Sequence, residues 1–160
     1  MSDAIPTNQI LVFKINNELY GIDILKVQEI LNFMQPSPIP NCPEYLKGII
    51  NLRGTIILVI DLRARFHFDE PMNPENCVIV VVAIGDKKYG LVVDSVSDVL
   101  TINSENIQED IDMHVGIDSR YIMGLVKANE QMIILVDIDK VFLKDELDDL
   151  SNAVNNSIVK

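Results

Sequence analysis

ILVFKINNELYGIDILKVQEIL, residues 10–31, recurs in altered form as IVVVAIGDKKYGLVVDSVSDVL, residues 79–100. The two stretches align without a gap, with Tyr20-Gly21 over Tyr89-Gly90. A second pair follows in the same order: YLKGIINLRGTIILVIDLRARF at 45–66 lies over YIMGLVKANEQMIILVDIDKVF at 121–142. Two matching blocks in one order predict an internal duplication, with repeats at about 10–68 and 77–143.

Each repeat opens with a pattern typical of a β-hairpin. The apolar runs 10–15 and 78–84 are rich in β-branched residues, and the dipeptides Asn16-Asn17 and Gly85-Asp86 follow them. Such dipeptides accept the positive φ angles of tight hairpin turns. The stretch IDILKVQEIL at 22–31 then favours a strand, a brief turn near Leu25-Lys26 and another strand, with a short helix as the alternative.

The middle of the first repeat predicts a connection and a second hairpin. QPSPIPNCP at 35–43 holds prolines that donate no backbone hydrogen bond, so we expect an extended surface segment. Pro43 suits the first turn of a short helix through Tyr45 and Leu46. GIINL at 48–52 and IILVIDL at 56–62 predict two strands, which places Arg53-Gly54 at their tip.

Together these elements predict an all-β fold of two small antiparallel barrels, each with four or five strands. Strands as apolar as IILVIDL leave no face for water, so we expect the barrels to bury a common core between them. The tail 144–160 predicts an amphipathic helix that caps one barrel. Its pattern comes from apolar residues three or four positions apart, at Leu143, Leu147, Leu150, Val154 and Ile158.

Composition excludes several classes of function. A formal net charge of −11 repels nucleic-acid backbones and anionic membranes. No apolar run approaches the ~20 residues of a membrane span, and no secretory signal begins the chain, so we expect a cytoplasmic protein without membrane insertion. Cys42 and Cys77, with His67 and His114, lack the spacing of a zinc site, and we expect reduced thiols and neither metal nor cofactor.

Catalytic motifs for nucleotide binding, nucleophile elbows and zinc peptidases are absent from the sequence. Asp61 and Asp137 occupy the same point of the two repeats and could in principle form a carboxylate pair. We expect each instead to accept hydrogen bonds at its own strand end, and we predict a protein that is not an enzyme.

The repeats differ at positions that carry charge in the first copy. Arg53 aligns with Asn129, Gly54 with Glu130, and Lys26 with Ser95. An arginine at a hairpin tip can form a protein interface through forked hydrogen bonds and stacking. It can equally form a local salt bridge to Glu29 or Glu44, and the sequence leaves both interpretations open.

YGIDILKVQEIL, PEYLKGIINLRGTIILVIDLR and GLVVDSVSDVL, in this order and spacing, closely resemble the CheW family of chemotaxis coupling proteins. The resemblance runs from about Ile10 to Phe142. It implies a single domain over 10–143, made of two SH3-like five-stranded barrels that share a core and exchange edge segments. It also implies a non-catalytic adaptor that links methyl-accepting chemoreceptors to the histidine kinase CheA, is a monomer in isolation, and joins CheA in rings that build receptor arrays.

The resemblance also implies two contact surfaces. Receptor-binding positions map onto Val27, Glu29 and Arg53, with Ile24 and Gly48 beside them. Kinase-binding positions map onto Val78, Gln108 and Met113. Alternatives are a CheW-like module of another two-component system, or a small-ligand or enzymatic barrel that uses Asp61 and Asp137.

Overall fold

The computed structural model describes residues 9–40, 43–66, 76–85, 87–108, 121–128 and 130–141. The predicted tail helix, Met113, Cys42 and both histidines lie outside these ranges. The strands are β1 Gln9–Ile15, β2 Glu18–Asp23, β3 Val27–Asn32, β4 Leu46–Leu52, β5 Thr55–Asp61, β6 Val78–Ile84, β7 Lys87–Val93, β8 Ser95–Thr101, β9 Ile107–Gln108, β10 Ile122–Ala128 and β11 Gln131–Val136. The helices are α1 Leu62–Arg65 and α2 Ile138–Val141, with short 3-10 turns at Ile24–Lys26 and Ser104–Asn106.

The strands form two sheets, which confirms the all-β prediction. One sheet has the order β8-β1-β2-β11-β10-β9 and the other the order β3-β6-β7-β5-β4. The expectation of purely antiparallel barrels was wrong, because β2 pairs in parallel with β11 and β5 in parallel with β7. The parallel pairs arise because the hairpin β1–β2 joins strands of the second repeat, whereas the hairpin β6–β7 joins strands of the first.

Two hairpin turns lie where the sequence predicts them. Asn16 and Asn17 have φ angles of 54° and 68°, and Arg53 and Gly54 have 53° and 86°. Two successive positive φ angles match the type I′ turn that suits the twist of a hairpin. The Asn51 side chain accepts a hydrogen bond from the Gly54 N–H at 2.8 Å, which fixes Arg53 at the tip of β4–β5.

The strand-turn-strand prediction around Leu25-Lys26 is also confirmed. β2 ends at Asp23, a three-residue 3-10 turn spans Ile24–Lys26, and β3 begins at Val27. This turn, named the first crossover, carries the chain from the six-stranded to the five-stranded sheet. Asp94, between β7 and β8, is the second crossover and carries the chain back.

In the proline-rich segment, Ser37 forms a bridge with Ile49, and Ile39 is buried, which a purely surface segment would not show. The short helix expected through Tyr45 and Leu46 was wrong. Leu46 begins β4 opposite Ile60, and its N–H bonds the Pro43 carbonyl at 3.0 Å across a turn. Leu46 is buried in the core, so strand pairing outweighs the helix-starting tendency of Pro43.

Burial follows the alternation of each strand. Leu11, Phe13 and Ile15 face a cluster that also holds Val80 and Val82 of the other sheet, which makes it a core shared by both sheets. The opposite faces line two further clusters, each built by one sheet and the chain next to it. Each sheet therefore curls around its own core, and the expectation of strands without a wet face is confirmed.

One arginine of the first repeat contacts residues of both repeats. The Arg65 guanidinium carbon lies 4.9 Å from the ring centroid of Tyr45 and 5.8 Å from that of Tyr121, the aligned tyrosine of the second repeat. Arg65 also donates to the Val141 carbonyl at 2.9 and 2.7 Å. Val141 is the residue that aligns with Arg65, so this side chain of the first repeat contacts its own counterpart in the second.

Candidate protein-interaction surface

Glu29 and Arg53, predicted from the sequence as neighbours, form a forked ion pair. Arg53 Nη1 donates to Glu29 Oε2 at 2.8 Å, and Nη2 donates to Oε1 at 2.5 Å. Glu29 lies on β3 and Arg53 at the tip of β4–β5, and β3 and β4 are the two edges of the five-stranded sheet. The pair therefore joins the two edges at one end of this sheet.

The pair is accessible to a partner. The Arg53 side chain is 72% exposed and that of Glu29 is 27% exposed. The hydrogen bonds from Arg53 hold the pKa of the Glu29 carboxyl below its usual value, so Glu29 is ionised at neutral pH. A guanidinium has five N–H donors. The forked pair uses two of them, so a local salt bridge and a role in an interface are compatible.

Ile24 and Val27 lie apart from that pair on the other face of β3. A bulge separates Val27, which is opposite Val82, from Glu29, which is opposite Val81. Val82 belongs to the shared core and Val81 to the core of the five-stranded sheet. Ile24 and Val27 pack as half-buried residues against the shared core. The structure thus brings together Glu29 and Arg53, and separately Ile24 and Val27.

Gly48 occupies a position where the backbone of another segment lies in contact. Its φ is 144°, and a Cβ built there would overlap the carbonyl oxygen of Ser37. Ser37 exchanges both backbone hydrogen bonds with Ile49, at 2.8 and 2.9 Å. Glycine at position 48 therefore has a structural role, because it allows the chain after β3 to pack closely against β4.

The predicted kinase-binding residues are spread over both sheets. Val78 begins β6 between β3 and β7, and it packs half-buried against the shared core. Gln108 is exposed on β9, an outer strand of the six-stranded sheet, opposite Leu125. Met113 lies outside the described residues.

Two ion pairs that sequence reasoning missed hold the crossovers. Lys26 Nζ of the first crossover lies 2.8 Å from Asp139 Oδ2 of α2. Arg63 Nη1 of α1 lies 2.6 Å from Asp94 Oδ2 of the second crossover. The repeat alignment lays Arg63 over Asp139, so the signal was an opposite charge at one aligned position; Lys26 and Asp94 are adjacent in the alignment, not paired.

The two pairs differ in burial. The Arg63 and Asp94 side chains are 6% and 30% exposed, whereas those of Lys26 and Asp139 are 36% and 45% exposed. Asp94 also accepts the Asn16 N–H at 2.9 Å and so holds the β1–β2 turn. The second crossover is therefore held more firmly than the first.

Asp61 and Asp137 each accept a hydrogen bond at their own strand end, as the sequence analysis expected. Asp61 Oδ1 accepts the Arg63 N–H at 2.9 Å, and Asp137 Oδ1 accepts the Asp139 N–H at 3.1 Å. Their own N–H groups bond the carbonyls of Tyr45 and Tyr121, both at 2.8 Å. These are equivalent helix-capping positions of the two repeats.

Asp61→Asn should leave stability at neutral pH equal or increased. Burial raises the pKa of the Asp61 carboxyl above its ordinary value of 3.8, and the Arg63 N–H and Lys47 only partly oppose this shift. Because the pKa is higher in the folded protein, the protonated Asp61 carboxyl stabilises the fold. This stabilisation is fully present below about pH 4 and is lost as pH rises through the raised pKa. Asparagine caps a helix comparably without that ionisation cost.

Thermal melts of both proteins between pH 3 and pH 8 test this expectation. The curves should converge in acid, and the variant should melt at the same or a higher temperature near pH 7. Asp61→Ala is the control, because it removes the cap and should cost about 1 kcal/mol. A variant that loses more stability at neutral than at acid pH would contradict the assignment.

Within the described part of the chain, no group of three or more histidine, cysteine, aspartate or glutamate side chains is placed to hold a metal ion. Nor does any helix there have the length and apolar character needed to span a membrane.

A family model described as a CheW-like domain matches residues 9–146. The chain is 41% identical over 148 residues to the chemotaxis protein CheW of Klebsiella aerogenes, covering 92% of this chain and 89% of that protein. It is 36% identical to the chemotaxis protein CheW of Treponema pallidum, covering 90% and 87%. The crystal structure of the scaffolding protein TtCheW from Thermoanaerobacter tengcongensis superposes with a TM-score of 0.80 at 36% identity, covering 88% of this chain and 95% of that one. Because the family model covers most of the chain and the relatives match along nearly their whole length, this chain belongs to the CheW-like family.

Proposed function

We propose that this chain is a non-catalytic chemotaxis adaptor that couples methyl-accepting chemoreceptors to the histidine kinase CheA. One observation carries the proposal: the chain matches a protein named as the chemotaxis protein CheW along 92% of its length, at 41% identity. On this proposal it works in the cytoplasm, is a monomer alone, and joins CheA in rings beneath membrane-associated receptor arrays.

The receptor-binding residues form two separate parts, the ion pair of Arg53 and Glu29 and the apolar residues Ile24 and Val27. An exposed arginine held by a forked carboxylate offers further N–H donors in a fixed orientation. The half-buried Ile24 and Val27 offer apolar area next to the shared core. This combination suits the helical tip of a receptor, which presents apolar anchors flanked by polar groups. Gly48 contributes by allowing β4 to pack against Ser37.

The kinase-binding surface includes Val78, Gln108 and Met113. Gln108 lies on an outer strand and Val78 at the start of an inner one, so these residues would serve separate contacts. Two separate contacts are what a component of a ring requires, because each member must have a neighbour on either side.

Reconstitution of receptor control over CheA autophosphorylation tests the adaptor function. Membranes that contain receptors, CheA and this protein should show kinase activity that attractant suppresses. The same mixture without this protein should lack that control. An unchanged kinase rate with and without the protein would exclude the proposal and favour a CheW-like module of another two-component system.

Arg53→Ala should weaken binding to a soluble receptor signalling fragment on the order of tenfold, because it removes an exposed forked donor from the proposed surface. Melting temperature and CheA affinity should remain close to those of the unaltered protein, since exposed ion pairs contribute little to stability. Titration calorimetry with the receptor fragment and with CheA measures both affinities.

Lys127→Ala is the matched control, because it removes one exposed cation from the β10–β11 hairpin of the second repeat. Its receptor affinity should be unchanged. Equal receptor affinity of Arg53→Ala and the unaltered protein would show that Arg53 forms only a local salt bridge with Glu29.

Among the described residues, nothing favours an enzymatic alternative through Asp61 and Asp137. Each carboxylate caps its own helix. Full receptor coupling by the double variant Asp61→Asn/Asp137→Asn would dispose of that alternative.

A further inference from the structure

The first crossover holds Ile24 of the proposed receptor surface and leads directly into Val27, yet its own residues are little buried. None of its three residues, Ile24–Lys26, is buried. Locally, Asp23 Oδ1 accepts the Leu25 N–H at 3.0 Å, and the Val27 N–H bonds the Ile24 carbonyl. A segment with such sparse burial opens at low cost unless a distant contact restrains it.

Two contacts reach beyond the turn: Ile24 packs half-buried against the shared core, and Lys26 forms an ion pair with Asp139. Asp139 lies in the first turn of α2, directly after the strand β11 that pairs with β2. The 2.8 Å contact therefore links the crossover back to the six-stranded sheet that it has just left. Both side chains are partly exposed, so the pair restrains one segment without determining the stability of the whole fold.

The surroundings of Lys26 show what the loss of Asp139 would do. Hydrogen bonding to Asp139 raises the pKa of Lys26, and Asp137 and Asp23 also attract this ammonium group. Without Asp139, those two carboxylates remain as alternative partners for Lys26. The turn then loses its single preferred orientation.

The repeat supports a specific role for this pair. At the second crossover the aligned region uses Asp94 and the buried Arg63, with the charges reversed. The first repeat instead places the exposed Leu25, 64% accessible, where the second has Asp94. The crossover that holds Ile24 and leads into Val27 is thus the one with the exposed Leu25 and the partly exposed ion pair.

We propose that Asp139 is a positioning residue for receptor binding: through Lys26 it fixes the first crossover and with it the orientation of Ile24 and Val27. This inference rests on the proposed receptor-binding function. It assigns a role in that surface to a residue of the second repeat, far from the surface in sequence.

The experiment compares Asp139→Ala, Lys26→Met, their double variant and Asp139→Glu. Amide hydrogen exchange at Leu25, Lys26 and Val27 reports the crossover, and titration with a receptor signalling fragment reports binding. Lys140→Ala is the control, because it removes an exposed cation of the same helix, one that lies near Asp137.

Both single variants should exchange these amides faster and bind the fragment about three- to tenfold more weakly. The double variant should bind no more weakly than either single one, since both remove the same contact. Asp139→Glu, which keeps the carboxylate, and Lys140→Ala should both behave like the unaltered protein.

Unchanged exchange rates in Asp139→Ala would overturn the proposal. So would weaker binding by Lys26→Met alone, because Lys26 would then contact the receptor itself. If the unaltered protein fails to bind the fragment, the proposed function fails, and the exchange rates still decide whether Asp139 fixes the crossover.

Discussion

Gly48→Ala should unfold the protein or lower its stability by about 3–5 kcal/mol. The new methyl group would overlap the Ser37 carbonyl oxygen and lie 2.6 Å from its carbonyl carbon. Backbone atoms cannot rotate away as the end of a side chain can. Relief requires the segment around Ser37 to leave β4, which breaks two hydrogen bonds, and the φ of 144° adds strain for any residue with a Cβ.

Gly54→Ala is the matched control in the same hairpin. Its φ of 86° is also positive, but no atom lies within 4 Å of a Cβ built there. It should cost about 1 kcal/mol, from backbone strain alone. Chemical denaturation of both variants measures the difference. Equal, small losses of stability in both variants would show that the Ser37 segment can move. The structural explanation of Gly48 would then fail, and its predicted receptor-binding role would remain.

Asp94→Ala should destabilise the protein by about 2–4 kcal/mol. Arg63 is nearly inaccessible to water and would lose the carboxylate that lies 2.6 Å from it. The Asn16 N–H would lose its acceptor at the same time. The substitution should therefore destabilise α1, the β1–β2 turn and the second crossover together.

Asp139→Ala provides the comparison, because it breaks the charge-reversed pair at the other crossover. Its partners are partly exposed, so its cost in stability should remain within about 1 kcal/mol. Urea titration of both variants gives the two values. Similar losses would refute the difference in strength between the crossovers.

Local patterns accounted for most of the elements predicted from the sequence. Asn16-Asn17 and Arg53-Gly54 are turn signals that act within a few residues, and the apolar runs beside them define strands. The parallel pairing of β2 with β11 depends on residues from opposite ends of the chain. No local pattern records such a pairing. The helix predicted at Leu46 failed for another reason, because burial and pairing with Ile60 extend β4 to this residue.

The candidate site was predicted only in part. The sequence offered Glu29 and Glu44 as partners for Arg53, and the forked hydrogen bonds show that the partner is Glu29. The separation of Val27 from Glu29 depends on a bulge, which adds one residue and has no clear sequence signature. The crossover pairs required comparison of aligned positions for opposite charge instead of similarity.

The exchange of hairpins between the repeats has a consequence for how the chain folds. The hairpin β1–β2 forms early along the chain, but its neighbours β8 and β11 come only from the second repeat. Loop closure over such distances is slow, and the first hairpin must persist without its sheet until most of the chain is present. Neither repeat can complete a sheet by itself, so both sheets should form and melt in one cooperative transition.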